Sequence, residues 1–366
     1  MEHLKLSLLV SSFVIPLILS ITILVNSKND LSKKVIAVAL LNAFFVFLAN
    51  YYYFQKMFGV YSYVHSLHIA AVLWLFPSVF LYVKSIVGNN FRKDLFHLLP
   101  GVVFGLISAT IFYRFLNFDE RIFYLSNYRM GTEFKTLNMK VLTIFRLADV
   151  VLIVAQIIYY SVILFRIPQK YNYRLMQEYS NIENFSVNWL YWFNGGFIVV
   201  GILSILFYVF NPFHEGNELF LVFFLFCISA FIWVIGIWSF KQQRPKQEIE
   251  APVPVSDSNL NRNENTLAKV LIKYFETEQP YLNPELSLTD VCRKIGTNRT
   301  YLSNLINHQF EMNFNAFVNQ YRIKEVLEYK KQNPVAPYPT LVSVGGFGSV
   351  SSLKRALEKH KGNSIK

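Results

Sequence analysis

The chain has 366 residues, of which 53% are hydrophobic and 16% charged, with 35 Phe and 22 Tyr. Its charge is uneven: 28 charged side chains in the first 240 residues and 30 in the last 126, each part carrying net +6. Two chemically different segments therefore meet near residue 240, which excludes a single soluble domain, a disordered chain and a secreted disulfide scaffold.

A bilayer core about 30 Å thick needs roughly 20 mostly apolar helical residues to cross it. Seven such segments follow one another: Leu6–Val25, Val35–Tyr53, Val64–Val83, Leu95–Tyr113, Val141–Phe165, Trp189–Phe210 and Leu219–Phe240. The first has no small-residue cleavage site after it, so it reads as a span and not a signal peptide. The two sets of alternate loops differ in basic content, with 12 Lys and Arg in 49 positions (26–34, 84–94, 166–188, 241–246) against 7 in 50. The richer set is expected inside, which places residue 241 onward in the cytoplasm. Tyr51, Tyr52 and Tyr53 are then expected at the outer interface, Trp189 and Trp192 at the inner one, and His65 and His68 also at an interface.

Within the fifth span, Arg146 and Asp149 lie i, i+3 apart and can pair on one face. They read equally as a switch pair facing the bundle interior or as a structural pair. Gly101 and Gly105 form a GxxxG suited to close helix packing. Pro77 and Gly195–Gly196 are candidate kinks. The outer loop 114–140 is aromatic and basic, with Phe118, Phe123, Tyr124, Tyr128 and Phe134 beside Arg121 and Arg129, and is expected to lie on the membrane. Cys227 and Cys292 read as buried reduced thiols. No spacing predicts a metal site, a cofactor or an enzyme motif.

Residues 245–265 hold three prolines among polar residues and read as a flexible linker between a 1–244 membrane module and a 266–366 helical domain. In that domain, Leu267, Val270, Leu271, Tyr274 and Phe275 follow helical spacing. Ser287 and Asp290 form a capping signal for a short helix bearing Leu288, Val291 and Ile295. Gly296 supplies a turn, and Asn298 caps a second helix, Arg299–Phe310. That helix is expected to bury Leu302, Leu305, Ile306 and Phe310 and to expose Arg299, Thr300, Ser303, Asn304, Asn307 and His308. Two short helices joined at a glycine follow the helix-turn-helix plan, and amide, hydroxyl and guanidinium groups suit base edges and phosphates. A long helix, 315–331, follows, with Phe317, Val318, Tyr321, Val326 and Leu327 inward. Ser349 caps a last basic helix with Leu353, Ala356 and Leu357 as its apolar stripe.

The runs PYLNPELSLTDVCRKIGTNRTYLSNLINHQFEMNFNAFVNQYRIKEV and GFGSVSSLKRALEKHKG resemble the DNA-binding domain of the AraC family of bacterial transcription regulators. With the spans ahead of it, the chain is similar to membrane-bound AraC-type regulators of Bacteroidetes, and HLLP at 97–100 resembles a recurrent feature there. The resemblance implies two helix-turn-helix units bridged by the long helix. The first would read DNA through Arg299, Thr300, Ser303, Asn304 and Asn307, the second through Val350, Ser351, Lys354 and Arg355. The chain departs from the family before Gly346, where TLVSVGGFGS is about one helical turn short, and at Leu353, Leu357 and Glu358.

The expectation is an all-α protein: a seven-helix transmembrane bundle followed by a soluble helical domain with two helix-turn-helix units. Its role would be that of a multi-pass, membrane-tethered transcription regulator in the bacterial cytoplasmic membrane. The bundle would sense an unidentified signal ligand, and a cytoplasmic tail would bind double-stranded promoter DNA, with Lys294, Arg299, Lys354 and Arg355 on phosphates. A homodimer would fit this reading. The alternative is a transporter or membrane enzyme with the tail as regulatory adaptor. The scarcity of ionisable groups within the spans speaks against it.

Overall fold

The computed structural model describes residues 2–27, 30–88, 91–128, 134, 136–210, 218–242 and 261–363. It is all-α: no strand occurs among the described residues, only an isolated bridge between Tyr179 and Ser287. Among the described residues, seven helices are long and apolar enough to cross a membrane. These are α1 (Glu2–Asn26), α2 (Leu31–Phe54), α3 (Phe58–Val87), a stretch built on α4 (Leu99–Ala109), α6 (Leu137–Glu178), α7 (Trp189–Phe210) and α8 (Glu218–Lys241). Each contains one of the seven expected segments.

The chain forms two compact units. The first comprises residues 1–167 and 189–242, and the second 168–188 and 243–366. The second unit thus includes a piece of the chain that precedes the last two apolar helices, a grouping the division near residue 244 does not contain. Residues 166–178, expected in a loop, instead continue α6 as helix. Pro168 lies inside that helix.

In the first unit, small residues set the packing. A Cβ on Gly101 would meet Trp74 and the Ala70 carbonyl, and one on Gly105 would meet the Ala70 side chain. Both glycines therefore serve close packing of α4 on α3. The stretch 114–140, expected as a loop, contains α5 (Phe118–Asn127), started by a reciprocal Asn117–Glu120 capping box. Tyr124 and Phe134 are buried there, Phe118 and Phe123 exposed. Arg129 lies outside the described residues. His65, His68 and Trp189, expected at a membrane interface, are all buried within the protein. Trp189 donates to Gln242 at 2.8 Å.

The second unit adds α9 (Asn261–Thr277), α10 (Leu288–Ile295), α11 (Arg299–Gln309), α12 (Phe314–Gln332), α13 (Tyr338–Val344) and α14 (Val350–Asn363). Residues 261–265, expected in the linker, are helical; residues 245–260 lie outside the described residues. One core gathers Phe275, Leu288, Leu302, Leu305, Phe314 and Phe317. A second gathers Ile323, Val326, Leu341, Phe347 and Leu353. Helix α12 feeds both cores, its first half the former and its second half the latter. Leu327, expected inward, is exposed. Arg322, four residues from both Val318 and Val326, is turned inward instead and is 1% exposed.

Candidate nucleic-acid interface

The same local plan occurs twice in the second unit. In the first instance, Ser287 and Asp290 cap α10 reciprocally, and α10 ends at Gly296 with φ 74°. Asn298 then accepts from the Tyr301 amide to start α11. In the second, α13 is followed by Gly346 with φ 65°, and Ser349 Oγ accepts from the Ser352 amide at 3.0 Å to start α14. Only glycine adopts positive φ without steric cost, so each glycine permits the sharp turn between a supporting helix and the next. At Gly346 an added Cβ would also collide with the Leu282 backbone. The seven-residue α13 occupies the shortened stretch before Gly346.

Arg322 ties the two halves together. Its Nε donates to the Tyr281 carbonyl and its Nη2 to the Asn283 carbonyl, each at 2.7 Å. Its guanidinium also lies over the Phe347 ring at 5.6 Å. Burial pushes its pKa down to about 10, so it stays charged at neutral pH. The sequence reading missed this residue. Its helical register among Val318 and Val326 was the available signal.

The expected reading residues do not lie open. Arg299, Thr300, Asn304 and Asn307 are half-buried and Ser303 is buried. Segment 168–188, which packs within this unit, contacts two of them. Arg299 Nη2 lies 2.6 Å from Glu178 Oε1, with the Arg299 side chain 27% and the Glu178 side chain 13% exposed. Asn307 Nδ2 donates to Gln177 Oε1 at 3.1 Å. The segment is further held by Asn315 Nδ2 donating to the Ser180 carbonyl at 2.7 Å, by Arg322 Nη2 donating to Ser180 Oγ at 3.1 Å, and by the Ser180 amide donating to the Leu286 carbonyl at 3.1 Å.

On α14 the arrangement repeats. Ser351, Lys354 and Arg355 are exposed. Arg355 Nη2 lies 2.6 Å from Glu183 Oε1, and Ser349 Oγ donates to Glu183 Oε2. Lys354 Nζ sits 4.9 Å from the Tyr338 ring centroid. Each of the two helices thus presents an arginine to a carboxylate from one short segment. Lys294 is paired elsewhere, with Glu278 at 3.0 Å, which raises its pKa.

Arg146 and Asp149 pair at 3.6 Å on α6, with the Asp149 side chain 3% exposed. Cys292 is buried, and burial with the nearby Glu178 carboxylate pushes its thiol up to about 12, so it is inert at neutral pH. No cluster of metal-ligating side chains occurs among the described residues. Comparison with protein-family models, with curated proteins and with solved structures returned no match.

Proposed function

We propose that the chain is a membrane-held, sequence-specific DNA-binding regulator whose reading helices are α11 and α14. The observation that carries this reading is the repeated unit: supporting helix, left-handed glycine, capped second helix, twice over, joined by the shared α12. A polar helix face beyond a tight glycine turn matches the size and chemistry of a major groove. Asn304 and Asn307 would pair with base edges, and Arg299, Lys354 and Arg355 would hold phosphates or guanine. On this reading residue 241 onward is cytoplasmic, as the loop charges require.

The reading has a corollary in the contacts of segment 168–188. A carboxylate on a guanidinium occupies the place of a phosphate, so Glu178 and Glu183 hold the two arginines as DNA would. Being tethered, they compete at high effective concentration. On this reading the pairing of Glu178 and Glu183 with the arginines is a closed form, and DNA binding requires the segment to leave α11 and α14.

The test is DNA binding by the full chain in detergent or nanodiscs, on sequences selected from a random duplex library. The wild type should bind weakly and the Glu178→Gln/Glu183→Gln variant roughly tenfold more tightly, which is about 1.4 kcal/mol. Equal affinity of the two would remove the closed form but keep the DNA reading. Failure of both to enrich any sequence would remove the DNA reading itself.

A further inference from the structure

The first unit contains a cavity of about 380 Å³, within the range of small-molecule sites. Most of its wall is apolar and aromatic, including Val72, Phe76, Ile153, Phe197 and Phe231. Polar groups also converge on it: Tyr61, His65 and His68 from α3, and Arg146 and Asp149 from α6. This combination of an apolar wall with a few convergent polar groups is what a ligand site needs.

The polar groups are not mutually satisfied. His68 is 5% exposed and its Nδ1 meets the Tyr61 hydroxyl at 2.8 Å, but its Nε2 has no hydrogen-bond partner. His65, also 5% exposed and stacked on Phe112, leaves Nδ1 without one. Asp149 is 2% exposed and uses Oδ2 for Arg146, while Oδ1 has no partner. Three such atoms on side chains lining one cavity are costly to bury. A bound molecule that met them would recover that cost.

From this juxtaposition we propose that the cavity binds a neutral lipophilic molecule with a hydroxyl head, the head among His65, His68 and Asp149 and the apolar body along Val72, Phe76, Phe197 and Phe231. The head must be able both to give and to take a hydrogen bond. Asp149 Oδ1 is an acceptor, whereas His68 Nε2 is a donor or an acceptor according to which partner carries the proton in its bond to Tyr61. A hydroxyl serves every case. The head is neutral because Arg146 and Asp149 already balance each other, and a third full charge in an apolar interior would stand uncompensated. This site stands independently of whether the second unit binds DNA. If it does, the cavity supplies the sensor with its ligand class.

The experiment uses the full chain in nanodiscs with a diazirine-bearing dodecanol as photoprobe, adducts being mapped by mass spectrometry. Adducts are expected on cavity residues such as Val72 and Phe197, competed by unlabelled dodecanol. His68→Phe, which keeps an aromatic ring but removes the hydrogen-bonding nitrogens, should lower capture about tenfold, the worth of one buried hydrogen bond. Val72→Trp fills the cavity and should abolish capture, a second route if the histidine variant does not fold. Adducts confined to outward-facing residues such as Leu106 and Val151, or equal capture of a headless dodecane probe, would overturn the site. Preferential capture of a dodecanoate probe would overturn the neutral head.

Discussion

Asn304 and Arg355 carry opposite kinds of information if the second unit reads DNA. Asn304 is neutral and its amide can pair with adenine, so Asn304→Ala should cost about 1–3 kcal/mol on the preferred sequence and little on others. Arg355 is charged, so Arg355→Ala should weaken binding to all sequences and lower the salt slope by roughly one. Titrations of the full chain at several salt concentrations separate the two effects. The structural residues are equally testable. Gly346→Ala places a side chain at positive φ against the Leu282 backbone, and should cost at least the 1–2 kcal/mol typical of a left-handed non-glycine residue. Arg322→Met strands the Tyr281 and Asn283 carbonyls, for about 1–3 kcal/mol. Both should lower the thermal midpoint of the second unit while leaving the apolar helices intact by circular dichroism.

At the scale of elements, the helices with strong local signals were legible. The Ser287–Asp290 capping box, the Gly296 turn, the Asn298 cap and the seven apolar runs all stand where residue chemistry puts them. Local signals act within one turn of helix, so they survive whatever packs around them. What was not legible depends on distant partners. Asn307 sits on a face that polarity marks as solvated, yet it is half-buried and donates to Gln177, more than a hundred residues earlier. His65 and His68 are buried and line a cavity of the first unit, which their polarity alone does not signal. Helix α6 reads as ending near Phe165 because hydropathy reports where apolar residues stop, not where the backbone stops being helical. Capping energies can be checked directly. Asn298→Ala should destabilise the second unit by about 1 kcal/mol, measured by denaturant unfolding.

For the whole molecule, opening of the second unit should be visible at Cys292. Its thiol is buried and held protonated, with Glu178 close enough to raise its pKa further. In a Cys227→Ser background, maleimide should label Cys292 slowly, and Glu178→Gln/Glu183→Gln should accelerate labelling if release of segment 168–188 loosens that corner of the core. Segment 168–188 belongs to the second unit and is continuous with α6, which carries Arg146 and Asp149. If the apolar helices receive a signal, α6 carries it along the chain into the segment that contacts Arg299 and Asn307.

If the second unit meets DNA from the membrane, mapping the DNA cross-linked to the full chain in living cells tests this most directly. The DNA reading predicts discrete genomic sites sharing one sequence motif, more heavily occupied in the Glu178→Gln/Glu183→Gln variant and lost on Arg299→Ala/Asn304→Ala. Recovery of no discrete sites with either the wild type or the Gln variant, both present in the membrane, would contradict it.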